Sequence, residues 1–318
     1  FMTLQIILLF VGLAGLYYGA EWLVTGSARF ANALHIKPVV IGLTIVAFGT
    51  STPELVTSVI AGIKHFNDIA VGNIVGSNIA NIALILGLSA IVRPLKIDMN
   101  LLTRDMPVMI GCSCFIYFIS WDGVLSRWEG VALFSGIVAY TFYVYRAAIT
   151  DSKAVEKECL EFEELIGVTH NGIKKDVVLI IIGLGTLVVG AHLLVHAAVY
   201  IAKVMGISEL VIGLTVIAVG TSLPELATSM VASIRKQADI SVGNIVGSNI
   251  FNILAVLGVA AMIQPIMVNP VSLRLDMPVM LFFSIFLVPL ITWKFVLTRL
   301  QGLFLLSGYG VYLYWLFK

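Results

Sequence analysis

The chain has 318 residues, of which 59% are hydrophobic and 12% charged; its formal net charge is +1 and its mean hydropathy is +1.03. A soluble domain of this length needs a more charged surface, and a nearly neutral chain gives no reason to expect a nucleic-acid partner. The three cysteines, Cys112, Cys114 and Cys159, form no CxxC pair, so we predict neither a disulfide framework nor a zinc site.

The apolar residues are grouped in stretches of about 20, and a helix of that length crosses a hydrocarbon core of roughly 30 Å. We therefore predict an all-α membrane protein surrounded by the lipid bilayer. Ten transmembrane helices are predicted, at approximately 4–29, 37–63, 69–91, 102–120, 127–147, 175–203, 208–234, 240–263, 273–293 and 299–317.

The two halves of the chain resemble each other. The sequence VGNIVGSNI occupies residues 71–79 and again residues 242–250, a shift of 171, and GTS-x-PEL recurs at the same shift. We predict two five-helix repeats at 1–148 and 175–318, joined by a polar cytosolic linker at 149–174. An odd number of helices per repeat inserts the second copy upside down, and such inverted-topology repeats are typical of secondary transporters.

The positions of lysine and arginine predict the orientation. Most of them fall in the loops that follow helices 1, 3, 5, 7 and 9. The positive-inside rule places those loops in the cytoplasm. We therefore expect a multi-pass cell-membrane protein with both termini extracellular.

An acidic residue lies inside each of two apolar helices. Glu54 follows VIGLTIVAFGTSTP, and Glu225 follows the matching VIGLTVIAVGTSLP. A charge at the bilayer centre costs at least about 2.5–3.5 kcal/mol, and neither segment carries a Lys or Arg to balance it. A bound cation is the simplest counter-charge; a protonated or hydrogen-bonded structural glutamate is the alternative.

The residues before each glutamate add oxygen ligands to the same helix face. They recur at i, i+3, i+4 and i+7, a spacing that places side chains on one face. Hard cations such as Ca²⁺ and Na⁺ prefer oxygen ligands. Pro53 and Pro224 also predict a break in each helix, as at transporter sites near the midplane. The two faces consist of Ala47, Thr50, Ser51 and Glu54, and of Ala218, Thr221, Ser222 and Glu225.

A second repeated segment, GNIVGSNI-x-NI, carries a polar stripe at every fourth residue. The glycine pairs Gly72/Gly76 and Gly243/Gly247 predict close packing of helices 3 and 8 against helices 2 and 7. We expect this packing to complete a cation cage with Ser77, Asn81, Ser248 and Asn252. For the remaining amides, interhelical hydrogen bonding is the alternative role; these are Asn73, Asn78, Asn244 and Asn249.

Four further acids lie at the beginnings of predicted helices. We predict them as helix N-caps, the ordinary role of Asp at that position. They are Asp68, Asp105, Asp239 and Asp276.

These repeats resemble the alpha repeats of the cation/calcium antiporter superfamily, in particular the prokaryotic sodium/calcium exchanger family, over essentially the whole chain. The resemblance implies ten helices around four central ion sites, with the long helices 1 and 6 sliding across the rest. It implies Ca²⁺ ligands at Glu54, Glu225, Thr50 and Thr221, and a central polar Asn81. The implied Na⁺ ligands are the carbonyls of Ala47 and Ala218 and the hydroxyls of Ser51, Ser77, Ser222 and Ser248.

One position departs from the family pattern: Asn252 stands where the archaeal exchangers resembled here carry Asp. With Asn81 also an amide, the two glutamates give the cage a fixed charge of −2, which matches one Ca²⁺. Three Na⁺ would leave an excess of +1. The leading hypothesis is a Na⁺/Ca²⁺ antiporter that acts as a monomer, needs no cofactor and is not an enzyme. A Ca²⁺/H⁺ antiporter, a passive cation channel and an intramembrane hydrolase are the alternatives.

Overall fold

A computed structural model describes residues 2–150, 172–206, 218–292 and 294–316. The predicted linker falls largely on residues 151–171. The start of the predicted seventh helix falls on residues 207–217. Both segments lie outside the described residues.

Twelve helical segments occur within these described ranges. Seven are long and apolar enough to cross a membrane, and the second and third together form a bent pair that makes an eighth. The chain is therefore a multi-pass helical membrane protein. The helices are α1 (Met2–Ala33), α2 (Pro38–Thr50), α3 (Thr52–Ile63), α4 (Asn67–Val92), α5 (Leu101–Asp122), α6 (Arg127–Thr150), α7 (Ile173–Val204), α8 (Ala218–Thr221), α9 (Leu223–Ile234), α10 (Ala238–Ile263), α11 (Ser272–Thr292) and α12 (Arg299–Leu316).

The predicted second helix is broken at Ser51. Helices α2 and α3 meet there at 43°. Pro53 is the cause, because it cannot donate a backbone hydrogen bond and instead occupies the first turn of a new helix. The same break occurs at Ser222, between α8 and α9, where Pro224 repeats the arrangement.

Four two-residue strands tie the halves together at their loops. Strand β1 (Leu95–Lys96) follows α4, and β2 (Val124–Leu125) follows α5; β3 (Ile266–Met267) follows α10, and β4 (Val296–Leu297) follows α11. Strand β1 pairs antiparallel with β4, and β2 pairs antiparallel with β3. Each pair therefore joins one strand from each half, at opposite ends of α5.

Helices α4 and α10 form the centre of the molecule. In their most apolar stretches 78% and 83% of the residues are buried, against 22% in α1 and 28% in α7. The outer helices instead expose large apolar side chains such as Phe118 and Phe142, as expected of surfaces that face lipid. The predicted packing of α10 is confirmed: a Cβ added at Gly247 would lie 2.6 Å from the Leu43 carbonyl oxygen of α2. The partner segment expected for Gly72 and Gly76 lies outside the described residues.

Helices α1 and α7 run antiparallel in direct backbone contact. A Cβ at Gly12 or Gly19 would lie 2.7 Å from a backbone nitrogen of α7, and one at Gly183 or Gly190 would lie within 2.8 Å of a backbone nitrogen of α1. The two helices contact each other far more than they contact the remaining helices. They therefore form a pair that lies against the central body.

The four predicted N-caps are wrong. Asp68 is the second residue of α4, after an N-cap at Phe66, and Asp239 has the equivalent place in α10. An acid there still favours the helix N-terminus electrostatically. Asp105 lies inside α5, because a π-helical turn at Leu101–Asp105 extends that helix backwards, and Asp276 lies inside α11 in the same way.

Candidate cation-binding site

The two helix breaks bring the repeated glutamates into the protein centre. Glu54 lies in the first turn of α3 and Glu225 in the first turn of α9. Both are buried, with 0% and 1% of their surface exposed. The free backbone N–H groups of a helix N-terminus favour negative charge, so each break supplies a position where a buried carboxylate is less costly.

Each carboxylate is held by a serine from the opposite half. Ser51 Oγ donates to Glu225 Oε1 at 3.2 Å, and Ser222 Oγ donates to Glu54 Oε1 at 3.5 Å. Each serine belongs to a helix break and binds the glutamate that follows the other break. The site is thus a single cluster shared by both halves.

The polar stripes of α4 and α10 close around this cluster. Ser222 Oγ also lies 3.2 Å from Ser77 Oγ, so α4 contacts the break between α8 and α9. On the opposite side, Thr50 Oγ1 lies 3.4 Å from Ser248 Oγ and donates to Asn244 Oδ1 at 3.1 Å. Hydroxyl groups from both stripes therefore surround the glutamates.

Asn73 and Asn244 make interhelical hydrogen bonds, the alternative role that the sequence suggested for them. Asn73 Nδ2 donates to Ser58 Oγ at 2.9 Å and to the Glu54 carbonyl oxygen at 3.3 Å, and its Oδ1 accepts from Thr221 Oγ1 at 3.2 Å. Asn244 Nδ2 donates to Ser229 Oγ at 3.1 Å. The serines of these pairs were not singled out in the sequence, although Ser58 and Ser229 align at the shift of the repeat.

Four buried oxygen atoms of the cluster have no hydrogen-bond partner. They are Glu54 Oε2, Glu225 Oε2, Asn81 Oδ1 and Asn252 Oδ1. A buried polar atom without a partner costs about 1–3 kcal/mol, and more if it is charged. The two amide oxygens are acceptors, and so are the two carboxylate oxygens when the glutamates are ionised. A cation is a ligand that acceptor oxygens of this kind bind.

Asn81 and Asn252 also begin π-helical turns, at Asn81–Leu86 of α4 and Asn252–Leu257 of α10. Such turns widen a helix locally and are frequent at functional sites. The sequence pattern predicted a regular stripe there and gave no sign of either turn.

The structure brings most of the predicted ligands together. Buried side chains of the cluster belong to Thr50, Ser51, Glu54, Ser77, Asn81, Ser222, Glu225, Ser248 and Asn252. Thr221 is half-buried beside them. The Ala47 carbonyl oxygen accepts from Ser51 N at 3.0 Å and from Thr50 Oγ1 at 3.3 Å. Ala218 is the first residue of α8, and the structure describes its backbone but not its side chain. Within the described ranges no three His, Cys, Asp or Glu residues form a metal cluster, so carboxylates alone do not build the site.

The model of the family described as sodium/calcium exchanger protein matches residues 4–146 and 175–318. The chain belongs to the sodium/calcium exchanger family. The match falls in two segments, and the whole predicted linker, 149–174, lies between them.

Relatives and a solved structure match over almost the full chain. The inner membrane protein YrbG of Escherichia coli is 38% identical over 99% of this chain and 98% of that protein. The sodium/calcium exchanger MaX1 of Methanosarcina acetivorans is 31% identical over 99% of both chains. A solved structure of the sodium-calcium exchanger NCX_Mj, soaked with Na⁺ and Ca²⁺, is similar with a TM-score of 0.83 and 35% identity, over 97% of each chain.

Proposed function

We propose that this exchanger family member is a secondary antiporter that moves Ca²⁺ against Na⁺ across the cell membrane by alternating access. The observation that carries this proposal is the set of four unpartnered oxygen atoms on Glu54, Glu225, Asn81 and Asn252. They form an acceptor-only cluster that requires a cation. The similar exchangers MaX1 and NCX_Mj are named for sodium and calcium.

The proposed architecture is ten membrane helices in two inverted repeats, residues 1–148 and 175–318, around a cytosolic linker at 149–174. The strand pairing supports inversion. Strands β1 and β3 follow equivalent helices, α4 and α10, yet β3 pairs with β2, which lies at the opposite end of α5 from β1. Equivalent points of the two halves therefore lie at opposite ends of α5, as expected of inverted repeats.

The proposed ligands follow from the cluster. Glu54 and Glu225 hold Ca²⁺ together with Thr50 and Thr221, and Asn81 and Asn252 contribute amide oxygens. The two glutamates balance one Ca²⁺, whereas three Na⁺ carry one further positive charge. Exchange at that ratio moves one net charge, worth roughly 2.3 kcal/mol per 100 mV. The Na⁺ ligands are the Ala47 and Ala218 carbonyls with Ser51, Ser77, Ser222 and Ser248.

Alternating access is assigned to the α1–α7 pair. Helix α1 packs along α9, which runs from Glu225 towards Arg235, whereas α7 makes few contacts with α3, which runs from Glu54 towards Lys64. With the Lys- and Arg-rich loops in the cytoplasm and both termini outside, α1 covers the cytoplasmic half of the path and the extracellular half is less covered. Sliding of the α1–α7 pair would uncover the cytoplasmic half of the path and cover the extracellular half.

The test is uptake of radioactive Ca²⁺ into liposomes that contain the purified protein as a monomer. An outward Na⁺ gradient should drive uptake, and clamping the membrane potential inside positive should increase it, because three positive charges leave with Na⁺ for every two that enter with Ca²⁺. A pH gradient should not replace the Na⁺ gradient. Uptake driven only by protons would refute sodium coupling, and uptake that needs no counter-ion would refute antiport.

A further inference from the structure

A group of four asparagines joins the two halves next to the cluster. Asn78 and Asn81 come from α4, and Asn249 and Asn252 from α10, and none exposes more than 1% of its surface. Their hydrogen bonds run between the halves rather than within one helix. The group is therefore part of the interface that holds the cation cage together.

The amide nitrogens of Asn78 and Asn249 have their own acceptors. Asn78 Nδ2 donates to the Asn249 carbonyl oxygen at 3.3 Å and lies 3.7 Å from Met280 Sδ. Asn249 Nδ2 donates to the Asn78 carbonyl oxygen at 3.3 Å and lies 3.7 Å from Met109 Sδ. These reciprocal bonds fix which way each amide is turned, and they leave each Oδ1 as an acceptor.

Those two acceptors bind the asparagines of the cage. Asn81 Nδ2 donates to Asn249 Oδ1 at 2.9 Å, and Asn252 Nδ2 donates to Asn78 Oδ1 at 3.1 Å. The oxygen and nitrogen ends of an amide have nearly the same shape, so hydrogen-bond partners decide which end faces a site. Here they leave the oxygens of Asn81 and Asn252 without partners, as a cation site requires.

We propose that Asn78 and Asn249 are positioning residues, which turn the amides of Asn81 and Asn252 so that oxygen and not NH₂ faces the transported cation. This role rests on the proposed function. A reversed amide would present two N–H groups to a cation and would raise the cost of binding. Residues that orient a metal ligand by hydrogen bonding typically change metal affinity roughly 10–100-fold when they are removed.

The same contacts explain why amides occupy both positions. Each of Asn249 Oδ1 and Asn78 Oδ1 needs a donor, which an amide supplies at residue 81 or 252. An ionised carboxylate there would place a negative oxygen against an acceptor oxygen. The cage charge of −2 is thus a consequence of the asparagine contacts.

The test compares Asn249→Leu, Asn81→Ala and the double variant in reconstituted liposomes. Asn249→Leu should raise the Ca²⁺ concentration for half-maximal Na⁺-driven uptake roughly tenfold or more. In the Asn81→Ala background the same substitution should add little, because Asn249 acts through Asn81. The same comparison of Asn78→Leu, Asn252→Ala and their double variant repeats the test for the other pair of asparagines. If Asn249→Leu fails to fold, Asn249→Ala takes its place.

The control is Ser284→Ala, which removes a buried hydroxyl that donates to the Met280 carbonyl oxygen of its own helix. It should leave half-maximal Ca²⁺ unchanged. Effects of Asn249→Leu and Asn81→Ala that multiply would overturn the positioning role, as would an unchanged Ca²⁺ requirement in Asn249→Leu. Absence of exchange in the unmodified protein would instead refute the proposed function.

Discussion

Arg235 at the end of α9 forms a two-point ion pair with Glu21 in α1. Its Nε donates to Glu21 Oε2 at 2.9 Å, and a second guanidinium nitrogen pairs with Oε1. The repeat places His192 where Glu21 would recur and Lys64 where Arg235 would recur, and a histidine and a lysine cannot form such a pair. Under the proposed sliding of the α1–α7 pair, the ion pair is therefore specific to the conformation in which α1 lies along α9.

Breaking this pair should shift the conformational equilibrium. A partly exposed ion pair contributes about 0.2–1 kcal/mol, which corresponds to a change of up to about fivefold in the ratio of two states. In Glu21→Gln or Arg235→Gln we expect the apparent Ca²⁺ affinity to fall at the extracellular face and to rise at the cytoplasmic face. Uptake measured in vesicles of each orientation checks this.

The matched controls are His192→Gln and Lys64→Gln, the equivalent positions of the opposite halves, which should leave both faces unchanged. Parallel changes at both faces in Glu21→Gln would contradict the conformational reading, because they would indicate a change in the site itself.

Neutralising either central carboxylate should abolish transport. Glu54→Gln and Glu225→Gln keep the shape of the side chain and remove a charged oxygen ligand. We expect Ca²⁺ uptake to fall by more than the roughly 10–100-fold typical of losing a residue that only supports a ligand. Size-exclusion chromatography should show folded protein in both cases. Normal uptake in either variant would remove that glutamate from the site.

Ca²⁺ should stabilise the unmodified protein against heat. A ligand that binds only the folded state at 100 times its Kd adds about 2.7 kcal/mol to the free energy of unfolding. The unfolding temperature in detergent should therefore rise with Ca²⁺ concentration. The rise should disappear in the double variant Glu54→Gln/Glu225→Gln. A persistent rise would mean that Ca²⁺ binds elsewhere.

The close contact of α1 and α7 predicts a sharp difference between two glycines of one helix. A Cβ at Gly183 would lie 2.6 Å from Leu23 N, so Gly183→Ala should separate the helices and destabilise the fold by about 1–3 kcal/mol. Gly185 lies on the exposed face of α7. Gly185→Ala should be neutral or stabilising by up to about 1 kcal/mol. Chemical or thermal unfolding compares the stability of the two variants. Equal effects would argue against the close contact of α1 and α7.

The sequence predicted the wrong role for Asp105 and Asp276. Asp105 precedes an apolar run and so fits an N-cap, but it lies inside α5 and accepts a hydrogen bond from Tyr140 of α6 at 3.0 Å. Asp276 accepts from Tyr312 of α12 at the same distance. A local pattern shows that an acid precedes a helix, but it does not show whether a distant tyrosine binds the acid instead.

The sequence by itself determined the membrane class, the approximate helices and the repeat, and it singled out two glutamates inside apolar helices. Those features depend on local properties: the length of an apolar stretch, the spacing along one helix, and the cost of a charge in lipid. Only the tertiary structure decided that Ser51 holds Glu225 across 174 residues of chain, that Ser222 holds Glu54, and that the oxygens of Asn81 and Asn252 have no hydrogen-bond partner. These relationships depend on how two distant segments meet, which no local pattern specifies.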